Sequence, residues 1–193
     1  GVNTGVFFPD PGVEKKQHQI IFVGHLSVPH NVDAAVHLAE DIFPLVKSRN
    51  PDAELLLVGA HPNPKVNSLG EIDGVKVTGY VDDLNRILNQ STVFAAPLRF
   101  AAGVQNKVLE ACAAGLPVVT SPMVGNGIGL RESENVLYGS DQVEYAEHIL
   151  ELFADPIIGL RIAEQARAFV LKNYNWDLVN QRINTIQSIQ LSK

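Results

Sequence analysis

The sequence predicts an α/β fold, a doubly wound parallel sheet of Rossmann-like type, on three observations. Short, unbroken runs of β-branched and aliphatic residues alternate with longer segments of helical spacing between residues 19 and 155. The runs show no polar alternation, as strands buried on both faces of a parallel sheet require. Several of them stop at a glycine and a loop, and the carboxyl ends of strands are where open α/β sheets take ligands. With 193 residues, 46% of them hydrophobic and 19% charged, the chain suffices for one domain with a sizeable core.

The first run, QIIFVG at 19–24, is read as a buried strand ending in Gly24. Asn31 is then expected to cap a helix whose inner face carries Val32, Ala35, Val36, Leu38, Ala39 and Ile42. AELLLVG at 53–59 is the second strand and GVKVTGYV at 74–81 the third. A short helix at 82–91 follows, with Asp82 as its expected cap, and TVFAAPL at 92–98 is the fourth strand. The segment 106–115 reads as a helix closed by Gly115. Strands five and six are placed at 116–121 and 135–140. Beyond them the chain is expected to be helical at 141–155, 157–172 and 177–190.

Charge and composition narrow the function. The net charge is -6 and no basic stripe runs along any element, so a nucleic-acid partner is not expected. The one cysteine, Cys112, allows no internal disulfide and is read as a small core residue. No run approaches the roughly 20 apolar residues of a membrane span. The opening GVNTGVFFPDPG has no basic start followed by an apolar stretch, so it is read as a linker rather than a signal peptide. Asn89-Gln90-Ser91 matches a glycosylation sequon, a pattern common by chance. No cluster of acidic residues, His or Cys has metal-ligand spacing, so neither metal nor cofactor is expected.

The stretch PLRFAAGVQNKVLEACAAGLPVVTS at 97–121 is the most informative. It reads as a strand end, a loop with Arg99 and Gly103, and a helix opening near Val104, Gln105 and Asn106. Free amides and the positive dipole end of such a helix favour an anion. Lys107 falls in the first turn, where a cation is unfavourable unless an anion offsets it. Spacing alone leaves two readings open, a phosphate-holding lysine and a solvated one. Glu110, three residues on, faces the same side. It suits two ribose hydroxyls, but spacing alone favours a surface pair with Lys107. His18, His37, His61 and His148 share no spacing and are read as solvated or capping. Trp176 is read as packing, and Tyr138 and Phe153 as core.

The 97–121 stretch resembles the signature of group 1 glycosyltransferases, a retaining family of GT-B fold. IIFVGHLSVPHNVDAAVHLAEDIFP resembles that family's opening strand, glycine loop and helix, and GVKVTGYVDDLNRIL its third unit. The form PLR…GVQNKVLEA is similar to sugar transferases of bacterial exopolysaccharide clusters. The resemblance implies the carboxyl-terminal, nucleotide-sugar-binding half of a two-domain transferase. Residues 1–17 would be the remnant of the interdomain linker, 18–176 the donor domain and 177–193 a helix crossing back to an absent acceptor domain. The implied partners are a nucleotide-diphosphate sugar, that domain, and a saccharide or lipid-linked acceptor. The implied location is cytoplasmic, peripheral to the inner face of the plasma membrane through the companion domain.

By the same resemblance Glu110 would hold the ribose, and the Val104–Lys107 backbone the diphosphate. Tyr80 and Val81 would meet the base, and Gly24 would let the first loop approach the phosphates. Lys107 and Arg99 would supply positive charge to the leaving group. The chain departs from the family in two places. Ala102 stands where many relatives carry a first glutamate on the donor sugar. His25 and His30 stand where they carry Arg and Lys on phosphate. These departures leave two alternatives open, a binding module without turnover and a nucleotide-sugar epimerase.

Overall fold

The computed structural model describes residues 1–100 and 103–176; Ala102 and the helix expected at 177–190 lie outside the described residues. Six parallel strands form one sheet. They are β1 (Gln19–Val23), β2 (Glu54–Val58), β3 (Val75–Gly79), β4 (Val93–Ala96), β5 (Val118–Thr120) and β6 (Leu137–Tyr138). Their order across the sheet is β3-β2-β1-β4-β5-β6, the doubly wound order. β1 pairs with β2 from Gln19↔Glu54 to Val23↔Val58 and with β4 through Ile20↔Val93 and Ile21↔Phe94.

The inner strands are buried except at Glu54 and Val23, because helices cover both faces. Ile20, Ile21, Phe22, Leu55, Leu57 and Phe94 have no exposed surface. After β1 the chain forms α1 (Pro29–His37), widens to a π turn at Leu38–Ile42 and continues as α2 (Phe43–Arg49). α3 (Pro64–Ser68) joins β2 to β3, and α4 (Leu84–Gln90) joins β3 to β4. α5 (Asn106–Ala113) follows β4, and α6 (Pro122–Ile128) follows β5. α7 (Gln142–Ala154) and α8 (Pro156–Asn173) close the described chain. α7 packs on α2 and reaches β4 and β5, while α8 packs on α5.

Two expected caps are corrected. The N-cap of α1 is Val28, with Pro29 starting the helix, so Asn31 lies inside the first turn. Pro29 has no amide to satisfy and its fixed φ suits that position. Asp83, not Asp82, caps α4, its carboxylate accepting from the Arg86 amide at 2.9 Å. α3 and α6 were not expected as helices. Each starts at a proline behind a capping side chain, Asn63 for α3 and Ser121 for α6. Gly115 closes α5 with a φ of 76°.

The segment 1–17 lies along α4. Asn85 and Asn89 accept from the amides of Phe8 and Asp10 at 3.0 and 2.8 Å, and Asn89 donates back to the Phe8 carbonyl at 3.0 Å. The sequon asparagine is therefore buried and spent on structure. Val2 bridges to Asn175 and its amide donates to the Tyr174 carbonyl at 2.8 Å, joining the start of the chain to the end of α8. Trp176 rests on Gly1, half exposed.

Candidate functional site

β1 and β4 are neighbours in the sheet, but the chain leaves them in opposite directions, toward β2 and toward β5. Their following loops diverge, and a crevice opens at the carboxyl edge between them. The loop from Gly24 to Val28 leads into α1, and the loop from Pro97 to Gln105 leads into α5.

Asn31 and Lys107, one from the first turn of each helix, meet across this crevice. Lys107 Nζ donates to Asn31 Oδ1, and Asn31 Nδ2 donates to the His25 carbonyl at 3.1 Å. A Cβ on Gly24 would lie 2.8 Å from Asn31 Cγ, so only glycine lets the amide pack there. The ammonium also sits 5.5 Å from the centroid of the Phe22 ring. Among the described residues, no carboxylate lies within ion-pair distance of Lys107. Burial pushes its pKa down to about 8, with Glu110 opposing the shift. Burial likewise raises Glu110, with Lys107 opposing. His30 is lowered by its own burial and then by Lys107.

Arg99 reaches across the same crevice to Asp33 of α1, its Nε 3.0 Å from Oδ2 and a second nitrogen on Oδ1. The hydrogen bond to Asp33 holds its pKa above the usual arginine value. The charge expected to serve a ligand is thus largely matched by a carboxylate. Gly103 takes a φ of 69° in the exposed loop, and Val104 beside it is 48% exposed. Gln105 is buried at the N-cap of α5 but forms no side-chain cap there, and no acidic residue follows in the first turn. Asn106 opens the helix, facing solvent. The positive end of α5 therefore points into the crevice with Lys107 beside it.

Next along the edge, the loops after β1 and β2 are stitched by Leu26 N to Ala60 O at 3.0 Å and Asn63 N to Leu26 O at 3.2 Å. This brings the His25 and His61 rings to 5.3 Å, with Ser27 Oγ 3.0 Å from His25 Nδ1. His61 holds a left-handed φ of 52°. Tyr80, after Gly79 at the end of β3, is 74% exposed, while Val81 packs against the core.

Sequence reasoning missed Asn31 and His61 as site residues. The signal for Asn31 was present: it heads the buried stripe Asn31, Ala35, Leu38, Ile42 as its one polar member. None existed for His61, because loop-to-loop proximity is not written in local spacing. His37 is buried and bonded to Asp41 at 2.7 Å rather than solvated. Cys112 is fully buried, its thiol pushed up to about 12 by burial. Among the described residues no three His, Cys, Asp or Glu side chains are grouped to hold a metal ion, and no helix is long and apolar enough to cross a membrane.

Two cavities flank the sheet. One of about 310 Å³ continues the crevice past Arg99, lined by Pro97, Ser121, Met123, Gly139 and Tyr145. A larger one of about 630 Å³ lies at the amino ends of the strands, near His18, Thr92, Pro117 and Phe153. Size alone favours the second. The crevice, by contrast, holds the half-buried Lys107 ammonium and the start of α5.

A parallel sheet in this order, covered by helices on both faces, defines a doubly wound α/β domain. The family model for group 1 glycosyl transferases matches residues 17–155, and the chain belongs to that family. It is 28% identical over 165 residues to an uncharacterized 44.6 kDa protein in the cps region of Klebsiella pneumoniae, covering 81% of this chain and 42% of that protein. The fold matches HepE of Anabaena in complex with UDP and glucose at a TM-score of 0.79 and 18% identity, over 97% of this chain and 55% of that one. It also matches the C-terminal domain of a group 1 family glycosyl transferase from Francisella tularensis at a TM-score of 0.70 and 18% identity, over 91% of this chain and all of that one. The chain spans about half the length of the curated relatives it matches.

Proposed function

We propose that the crevice between β1 and β4 binds the diphosphate of a nucleotide sugar, and that the chain is the donor half of a sugar transferase. The observation that carries this reading is Lys107. A cation withdrawn from water without a carboxylate partner is costly, and an anion in the crevice removes that cost. The α5 amides at Val104–Lys107 join it on the phosphates, and His25 and Gly24 line the opposite loop. Glu110 accepts from the ribose hydroxyls. Tyr80 and Val81 meet the base two strands away.

When the bond from the sugar anomeric carbon to the diphosphate breaks, negative charge grows on the leaving phosphate oxygen. A fixed ammonium and helix amides aimed there stabilise that charge, which is the work a divalent metal does in other transferases. We propose a metal-free reaction on this basis. Arg99 contributes less, because Asp33 already balances it.

The finer reading follows the family. A hexose is transferred with retention to a saccharide or lipid-linked acceptor, in exopolysaccharide synthesis at the cytoplasmic side of a bacterial membrane. Residues 1–17 act as the linker to a companion acceptor domain, a reading that the coverage of about half of each relative supports. Alone, this chain binds donor and turns over little. Titration with UDP, GDP, ADP and their sugar conjugates tests the reading. Preference for one nucleotide, lost in Lys107→Ala and Glu110→Ala, supports it; binding indifferent to both substitutions overturns it.

A further inference from the structure

We propose that Asn31 is a positioning residue: its amide holds the Lys107 ammonium in the crevice and locks that position to the first loop through the His25 carbonyl. The functional half of this inference rests on the donor-site reading above; the pairing itself does not.

The two partners fix the orientation of the amide. A lysine only donates and a carbonyl only accepts, so Oδ1 must face Lys107 and Nδ2 must face His25. Asn31 is 4% exposed, in a stripe where every following residue is apolar. An amide there costs stability unless both ends are bonded, and here each end is bonded once to the crevice. Helix capping does not explain the residue, since Val28 holds the cap and the Asn31 amide donates to the Val28 carbonyl at 2.9 Å. Gly24 has no side chain where Asn31 packs. The first loop, the first turn of α1 and the first turn of α5 are thereby one hydrogen-bonded unit.

The chemistry explains an amide in place of a carboxylate. Aspartate would hold the lysine as firmly but would cancel its charge and repel phosphate. A neutral acceptor orients the ammonium and leaves its charge for the ligand. The other groups acting on Lys107 are Glu110 from α5 and His30 from α1, while β1 presents only the Phe22 ring. Asp33, two residues on from Asn31, is engaged by Arg99.

The test compares this chain with N31D and N31L, each lysine-labelled for detection of the Lys107 side-chain resonance by NMR, with K107A for assignment. N31D is expected to move the Lys107 titration midpoint up, and N31L to move it down because an acceptor is lost. UDP and GDP affinity at neutral pH is expected to fall about tenfold in either variant, in N31L through loss of one charge-assisted hydrogen bond to the ammonium and in N31D through a carboxylate that cancels its charge and repels phosphate. In the double variant N31L/K107A the two losses are not additive. Should N31L fail to fold, the near-isosteric N31D decides. An unmoved midpoint, or fully additive losses, overturns the proposal. Midpoints that move as expected while K107A binds nucleotide like the parent chain leave the pairing standing and overturn the donor-site reading.

Discussion

Arg99 and Asp33 face each other across the switch crevice as a two-point ion pair, the Nε of Arg99 lying 3.0 Å from Asp33 Oδ2. Lys107, in the same crevice, instead donates to the neutral amide of Asn31 and, among the described residues, has no carboxylate within ion-pair distance. The crevice thus holds two cations in opposite states, one compensated and one not. Arg99→Ala is expected to weaken nucleotide-sugar binding about two- to threefold, within the range of exposed pairs. Lys107→Ala is expected to weaken it tenfold or more. Calorimetry on both variants checks the order; equal losses would contradict it.

The Lys107 pKa of about 8 sets a pH dependence. Below it the ammonium is intact and the affinity for a nucleotide sugar is flat. Above it a proton must be taken up on binding, and affinity falls by up to tenfold per pH unit. A nucleotide sugar is the right probe, since its diphosphate stays fully ionised throughout. Affinity independent of pH between 7 and 9.5 would remove Lys107 from the phosphates.

The same shift opposes stability. Folded Lys107 titrates near 8 and its unfolded counterpart near 10.5, so between those values the unfolded chain binds the extra proton. Stability contributed by this group therefore rises with pH through that window and is lowest below 8. Lys107→Met is expected to abolish this rise between pH 8 and pH 10.5 while losing nucleotide affinity. Urea denaturation at pH 7 and pH 10 checks both sign and window.

Gly59 supports the first loop from beneath. A Cβ there would lie 1.6 Å from the Gly24 carbonyl oxygen, a backbone atom that cannot step aside. Gly59→Ala is expected to destabilise the chain by about 3 kcal/mol or more, by forcing the loops after β1 and β2 apart. Gly103→Ala meets no atom of the described residues within 4 Å and strains its own φ of 69°, so its cost is expected near 1 kcal/mol.

Glu110 is separable from the phosphate contacts. If it accepts from the ribose, a 2′,3′-dideoxynucleotide binds the parent chain more weakly than the ribonucleotide, by about tenfold. Glu110→Ala then binds both alike. A preserved difference in the variant would place the ribose elsewhere.

The sheet was legible in the sequence because its inner strands are buried on both faces, which leaves unbroken apolar runs such as 20–23 and 55–58. Gly115 was legible because a left-handed helix end selects glycine. α6 was not, since its segment Pro122–Ile128 contains Gly125 and Gly127 and forms through the Ser121 cap and packing. Gly125 is required there by the Tyr138 ring, whose Cε1 would lie 2.2 Å from a Cβ, a contact between distant parts of the chain. The site divides in the same way. Lys107 was visible as a cation in the first turn of a helix, with Glu110 three residues on and facing the same side. Asn31 was mistaken for a cap because asparagine after proline and histidine looks like one, and only the fold shows its amide turned into the crevice.

The most direct test is calorimetric titration of this chain with UDP-, GDP- and ADP-sugars, run in parallel on Lys107→Ala and Glu110→Ala. Preference for one nucleotide is expected, with affinity reduced tenfold or more by each substitution while both variants stay folded. Binding that ignores both substitutions, or no binding of any nucleotide sugar at millimolar concentration, would contradict it.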